Sequence, residues 1–177
     1  MMIKFIYKKN EDIKCWKRWN KFIKKNKTVW GIIPLNKKYI SVEKITFHVE
    51  VENIFEKYSK VFKMKPPIIE GYVVTTPFSM INDDKSFSRI GKIYLSIHNI
   101  SFKVIIHEIF HIYFEKYTKR NIPNYETAKE YFTVILNDIF SYNISTGYPK
   151  HEEVRKKIFK VWKKTHSIDE CIKILIS

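Results

Sequence analysis

Hydrophobic and polar positions alternate with a two-residue period in three short segments of the chain. These segments span residues 3–7, 68–76 and 92–98, and the period is the one that places successive side chains on opposite faces of a β-strand. A polar stretch at 82–86 separates the last two segments and predicts a loop. The pattern therefore predicts a small sheet.

Elsewhere apolar side chains recur every three or four residues, which is the period of an amphipathic helix. Helices are predicted over residues 10–27, 41–62, 102–118, 125–142, 151–164 and 167–176, with a loop at 30–39. Ser101 and Asn124 are the candidate N-caps of the third and fourth of these helices. The sequence Lys65-Pro66-Pro67 interrupts this pattern, because a proline disfavours the helical conformation in the residue before it. We therefore expect an N-terminal strand and helical region, residues 1–66, packed on a core of residues 67–177 as one compact unit.

The bulk composition fits a folded protein, with 45% hydrophobic and 16% aromatic residues. No apolar run approaches the 18 or so residues that a membrane span needs. The first nine residues are too short and too often interrupted by lysine for a signal peptide. Cys15 and Cys171 lie far apart without metal-ligand spacing, so two free thiols and a cytoplasmic location are expected.

A formal charge of +15 raises the alternative of a basic protein that binds nucleic acid or an anionic surface. The composition weakens this alternative, because the chain holds 29 lysines against 4 arginines, alongside 29 isoleucines against 4 leucines. Such a bias is typical of AT-rich codons, whereas proteins that read phosphates and bases favour the bidentate guanidinium of arginine.

The strongest chemical signal is the motif His107-Glu108-Ile109-Phe110-His111. On a helix the two histidines, four residues apart, lie about 40° apart and can chelate one metal ion, while Glu108 lies about 100° from His107. The apolar residues of the same segment occupy an arc from about 140° to about 280° and can face a core. Imidazole nitrogen is a common zinc ligand, so a Zn2+ site is predicted.

A catalytic zinc needs a third protein ligand, and two residues of the next predicted helix are candidates. His111 lies about 12 Å from the end of its helix, at 1.5 Å per residue, so an antiparallel partner should lie a similar distance into the next one. Glu130 lies about 9 Å into that helix and Glu126 only about 3 Å. Glu130 is therefore the better ligand, and Glu126 remains the alternative.

The chain resembles the gluzincin group of zinc metallopeptidases, which includes thermolysin-like and aminopeptidase-like enzymes. The resemblance lies in the two histidines of His107-Glu108-Ile109-Phe110-His111, followed after eighteen residues by Glu130. Tyr131 replaces the glycine that often follows the glutamate ligand in that group, and an acidic residue one turn later is missing, since Val134 stands there. The resemblance implies an α+β fold in which a small, mostly antiparallel sheet packs on the metal helix and on a glutamate helix, with additional N- and C-terminal helices. It also implies an edge strand that binds a peptide or protein substrate, for which residues 92–98 are the candidate.

Together these features predict a zinc-dependent peptidase in which Glu108 is the general base. Each histidine should donate its second ring nitrogen to an acceptor, for which Asn137, Glu115 and Glu126 are candidates from their helical phase. Besides the nucleic-acid alternative, a catalytically silent regulatory protein on the same scaffold is also consistent with the sequence.

Overall fold

A five-stranded mixed sheet lies at the centre of the fold. The structure is a computed structural model that describes residues 1–25, 45–81, 90–141, 143–144 and 151–176. Its strands are β1 (Met2–Tyr7), β2 (Thr46–Glu50), β3 (Ile68–Val74), β4 (Met80–Ile81) and β5 (Ile90–Ser96). They are arranged in the order β2-β1-β3-β5-β4, so the chain is α+β.

The sequence predicted a mostly antiparallel sheet, and this prediction is wrong. Its two central pairs, β1 with β3 and β3 with β5, are parallel, and the edge strands β2 and β4 pair antiparallel to their neighbours. Parallel neighbours need long crossover connections, and the chain between β1 and β3 supplies one that includes two helices. The N-terminal strand β1 therefore pairs directly with a strand of the predicted core.

The helices are α1 (Lys9–Lys25), α2 (Glu52–Phe62), α3 (Phe102–Thr118), α4 (Tyr125–Phe132), α5 (Leu136–Ile139), α6 (Glu152–Thr165) and α7 (Ile168–Lys173). A 3-10 turn, Thr133–Ile135, separates α4 from α5. None of the helices in the described ranges combines the length and the apolar character that crossing a membrane requires.

The predicted helix over residues 41–62 is wrong in its first part. Residues 46–50 form β2, and the helix α2 begins only at Glu52. Phe47 and Val49 alternate with Thr46, His48 and Glu50, a two-residue strand period that the helix prediction overlooked, and the segment pairs with β1 at the edge of the sheet. Residues 41–44 and the predicted loops at 30–39 and 82–86 lie outside the described residues.

The three predicted strands are confirmed to within a few residues, and β4 was missed because it is only two residues long. The predicted continuous helix over 125–142 is also wrong, because the 3-10 turn interrupts it at Thr133. The helices predicted at 10–27, 102–118, 151–164 and 167–176 correspond to α1, α3, α6 and α7.

Each face of the sheet is covered by different helices. One face packs its buried side chains, such as Phe5, Val73 and Leu95, in the same core as residues of α2 and α3. The hydroxyl of Tyr58 on α2 donates to the carbonyl of Ile106, which ties α2 to α3 at 2.8 Å. The other face packs against α1 through a smaller cluster that includes Cys15.

Buried polar contacts attach α1 to the sheet. The carboxylate of Asp12 accepts hydrogen bonds from the backbone N–H of Thr75 at 2.7 Å and from its hydroxyl at 2.8 Å. The indole N–H of Trp16 donates to the same hydroxyl at 2.8 Å. Because a buried carboxylate is tolerated only when it is hydrogen-bonded, these contacts fix α1 in one place beside the end of β3.

Candidate metal centre

The helix α3 carries the motif and is positioned by two local features. The hydroxyl of Ser101 accepts the backbone N–H of Val104 at 3.3 Å, which confirms the predicted N-cap. Gly91 on β5 lies against Ile112, and a Cβ atom at Gly91 would come within 2.8 Å of that side chain. The missing Cβ lets α3 approach the sheet closely next to His111.

The turn between α3 and α4 folds the two helices together. Lys119, Arg120 and Asn124 adopt left-handed backbone conformations there, which end one helix and start the next. Asn124 precedes α4 as predicted, but its side chain makes no capping hydrogen bond. The hairpin places Glu130 opposite the two histidines.

Three side chains meet at this point. The Nε2 atoms of His107 and His111 lie 2.8 Å apart, and those atoms lie 3.6 Å and 3.2 Å, respectively, from the two carboxylate oxygens of Glu130. One ligand atom from each residue falls within 4.8 Å of the other two. Glu130 therefore joins the histidines, as the helix lengths predicted.

These distances fit a small metal ion. Zinc–nitrogen and zinc–oxygen bonds of about 2.0–2.2 Å in a tetrahedral site place ligand atoms about 3.3–3.6 Å apart. The distances of 3.6 and 3.2 Å from the two nitrogens to different oxygens of Glu130 are close to that spacing, and the nitrogen–nitrogen distance of 2.8 Å is shorter. Two imidazoles and one carboxylate also match the donor set of catalytic zinc sites.

The charges of the three groups are strongly coupled. Burial disfavours the charged form of His107, but a hydrogen bond that its ring donates to the Glu130 carboxylate and the charge of Glu108 outweigh burial and raise the pKa of His107. Burial, reinforced by His107, lowers the pKa of His111 to about 4. Burial alone would raise the pKa of Glu130, but the two imidazoles hold it far below its ordinary range. Glu130 is therefore a carboxylate and His111 a neutral imidazole at neutral pH, which is the form that binds metal.

Glu108 lies beside this cluster without belonging to it. Its side chain is buried, and burial raises the pKa of Glu108 to about 7, with the charge of His107 acting in the opposite direction. A carboxyl group with a pKa near neutrality can accept a proton and release it again.

Glu126, the alternative ligand, lies elsewhere. Its carboxylate is 63% exposed and pairs with Lys129 at 2.6 Å. It lines the same cleft but takes no part in the three-residue cluster. A carboxylate in the first turn of α4 instead complements the helix dipole.

The predicted acceptors for the histidine ring nitrogens make other contacts. Asn137 accepts the backbone N–H of Ile144 at 2.8 Å, and Glu115 pairs with Arg120 at 2.8 Å. The Nδ1 atom of His111 is buried, and the part of the chain that the structure describes supplies no hydrogen-bond partner for it. Helical phase alone could not identify these contacts, because each depends on a neighbour outside the helix.

A cleft of about 560 Å³ opens over the cluster. On one side it is lined by Trp19, Phe78 and the edge strand β4, and the two rings lie 5.3 Å apart. Tyr125 also lines the cleft, and the charged groups of Arg120 and Lys129 are 5.3 Å and 5.9 Å from the centre of its ring. The sequence did not indicate these residues, because Trp19 and Phe78 meet across 59 positions of the chain.

The strand predicted to bind substrate is not an edge strand. Residues 90–96 form β5, which lies between β3 and β4. The short strand β4 covers it and is itself the edge of the sheet at the cleft, where the Arg18 side chain donates to the carbonyl of Ile81 at 3.2 Å. The edge position therefore belongs to Met80 and Ile81.

No family model matches this sequence, and searches of curated proteins and of solved structures likewise give no match.

Proposed function

We propose that this chain is a zinc-dependent metallopeptidase of the gluzincin type, which hydrolyses peptide bonds. One observation carries the proposal: His107, His111 and Glu130 bring three ligand atoms within 4.8 Å of one another at the floor of an open cleft. Glu108 adds to it, because it lies next to His107 on the same helix and lines the same cleft without being one of the three ligands.

Zinc at these three ligands would supply Lewis acidity, which polarises a carbonyl group and makes water a better nucleophile. Glu108 would accept a proton from the attacking water and deliver it to the nitrogen of the leaving amine. Its burial supports this role, because a carboxyl group with a pKa raised to about 7 exchanges protons readily near neutral pH.

The cleft borders the edge of the sheet at β4. Since β4 is the edge of the sheet, a bound peptide could extend the sheet by backbone hydrogen bonds beside Met80 and Ile81. The rings of Trp19 and Phe78 then offer an apolar surface to a substrate side chain, while the glutamates and cations opposite form a polar surface.

Bound metal per chain, measured by elemental analysis, tests the site directly. We expect about one zinc in the wild type, a loss of zinc in Glu130→Ala, and full zinc in Glu126→Ala. The two variants are matched, because both remove one carboxylate from the same helix and both residues line the same cleft.

A peptide library incubated with the zinc-loaded protein then tests the reaction. Cleavage that disappears in His107→Ala would support a peptidase. Full zinc without any cleavage would favour the catalytically silent scaffold, and no zinc after reconstitution would reject the metal site. In the last case, polyanion binding with a steep salt dependence would favour the basic binding protein.

A further inference from the structure

Arg155, in the first turn of α6, reaches across to the end of α4. Only 5% of its surface is exposed, and its Nη1 atom donates to the backbone carbonyl of Glu130 at 2.7 Å and to the hydroxyl oxygen of Thr133 at 2.8 Å. The Thr133 hydroxyl in turn donates to the same carbonyl at 2.8 Å. Two side chains thus converge on the main chain of Glu130.

These contacts lie at the C-terminal turn of α4, where the helix has the fewest hydrogen bonds of its own. The helix ends at Phe132 and tightens into the 3-10 turn at Thr133, only three residues after Glu130. Carbonyl groups in the last turn of a helix lack regular partners and fray easily. A hydrogen bond from a charged donor is about twice as strong as a neutral one, so Arg155 fixes this turn more firmly than a neutral side chain could.

Burying a guanidinium group is costly unless it is paired and hydrogen-bonded. For Arg155 this cost is offset by its hydrogen bonds and by its electrostatic attraction to the carboxylate of Glu130. Neighbouring Lys156, by contrast, pairs with Glu152 at 2.7 Å while its own side chain is 64% exposed. The two adjacent cations of α6 therefore differ in burial and in partner.

We propose that Arg155 is a positioning residue, which holds the backbone of Glu130 so that its carboxylate meets His107 and His111. The proposal rests on the proposed function, because it concerns the third ligand of that metal site. Residues that orient metal ligands from the second layer typically change metal affinity by about 10–100-fold when they are replaced.

Titration with Co2+, followed by its visible absorption, measures this effect without any activity assay. We expect Arg155→Met to raise the Co2+ dissociation constant by about 10–100-fold. Arg155→Lys should recover part of the affinity, because it keeps one charged donor, and Thr133→Val should lose less than Arg155→Met. Lys156→Met is the matched control and should bind Co2+ like the wild type.

Far-UV circular dichroism and denaturant unfolding of each metal-free variant separate positioning from stability. A destabilised Arg155→Met that binds Co2+ as tightly as the wild type would overturn the positioning role and leave the metal site intact. If Arg155→Met does not fold, the test is made with Thr133→Val. A Co2+ dissociation constant of Thr133→Val equal to that of the wild type would then overturn the proposal. A wild type that binds no Co2+ would overturn the positioning role and the proposed function together.

Discussion

Replacing Gly91 by alanine tests whether the close approach of α3 to the sheet positions the metal helix. An added Cβ would lie 2.8 Å and 2.9 Å from the Cγ2 and Cδ1 atoms of Ile112, where ordinary contacts begin near 3.4 Å. Ile112 is buried and directly follows His111, so it cannot swing into solvent. The helix must therefore shift outwards by several tenths of an ångström.

Overpacking of this kind typically costs about 1–3 kcal/mol. In a chain of 177 residues, each kcal/mol lost from the free energy of unfolding lowers the melting temperature by about 3 °C. Gly91→Ala should therefore melt about 3–9 °C below the wild type. Because the shift moves the helix that carries both histidines, Co2+ affinity should fall as well. The double variant Gly91→Ala/Ile112→Ala should be less destabilised than the sum of its parts, since the new methyl group fills part of the cavity.

Gly71→Ala is the matched control. A Cβ at Gly71 would come within 2.5–2.8 Å of the ring of Phe5, which belongs to β1 and not to the metal helix. We expect it to lower the melting temperature without changing Co2+ affinity. Equal loss of Co2+ affinity in both glycine variants, or a melting temperature of Gly91→Ala equal to that of the wild type, would refute the reasoning.

Three further predictions concern the site itself. Glu108→Gln should keep about one zinc per chain but lower peptide hydrolysis by about 10²–10⁴-fold, and undiminished hydrolysis would exclude Glu108 as the base. Because the pKa of His107 is raised, Co2+ affinity should be full above that pKa and fall as the pH drops through it. His111, with a pKa of about 4, should contribute only at much lower pH, so an affinity that stays flat from about pH 8 to about pH 5 would contradict this assignment. Phe78→Ala should lower kcat/KM for substrates with an aromatic side chain by about tenfold relative to those with alanine, whereas Phe102→Ala, equally exposed at 49% but outside the cleft, should not.

The parts of the site that the sequence predicts are those fixed by helix geometry. A rise of 1.5 Å per residue favoured Glu130 over Glu126, because the α3–α4 turn brings roughly similar lengths of the two helices side by side. The cap at Ser101 is equally local, since donor and acceptor lie three residues apart. Such features need no knowledge of the rest of the chain.

The parts that the sequence did not predict depend on contacts between distant segments. The helix α4 stops at Phe132, beside a buried arginine that lies 25 positions after Glu130. The aromatic wall of the cleft joins α1 to the segment after β3. In each case a tertiary contact outweighs the local pattern.

The energetic cost of the cluster argues for a function rather than for a structural role. His111 and Glu108 are buried, and the Nδ1 atom of His111 has no hydrogen-bond partner among the described residues. Each of these features lowers stability, since buried polar groups need partners and apolar side chains would fill the same space at less cost. Well-folded chains keep such violations mainly where a site requires them. A divalent cation among the three ligand atoms would offset the burial of these polar groups, so metal binding should raise the melting temperature of the wild type and leave that of Glu130→Ala nearly unchanged.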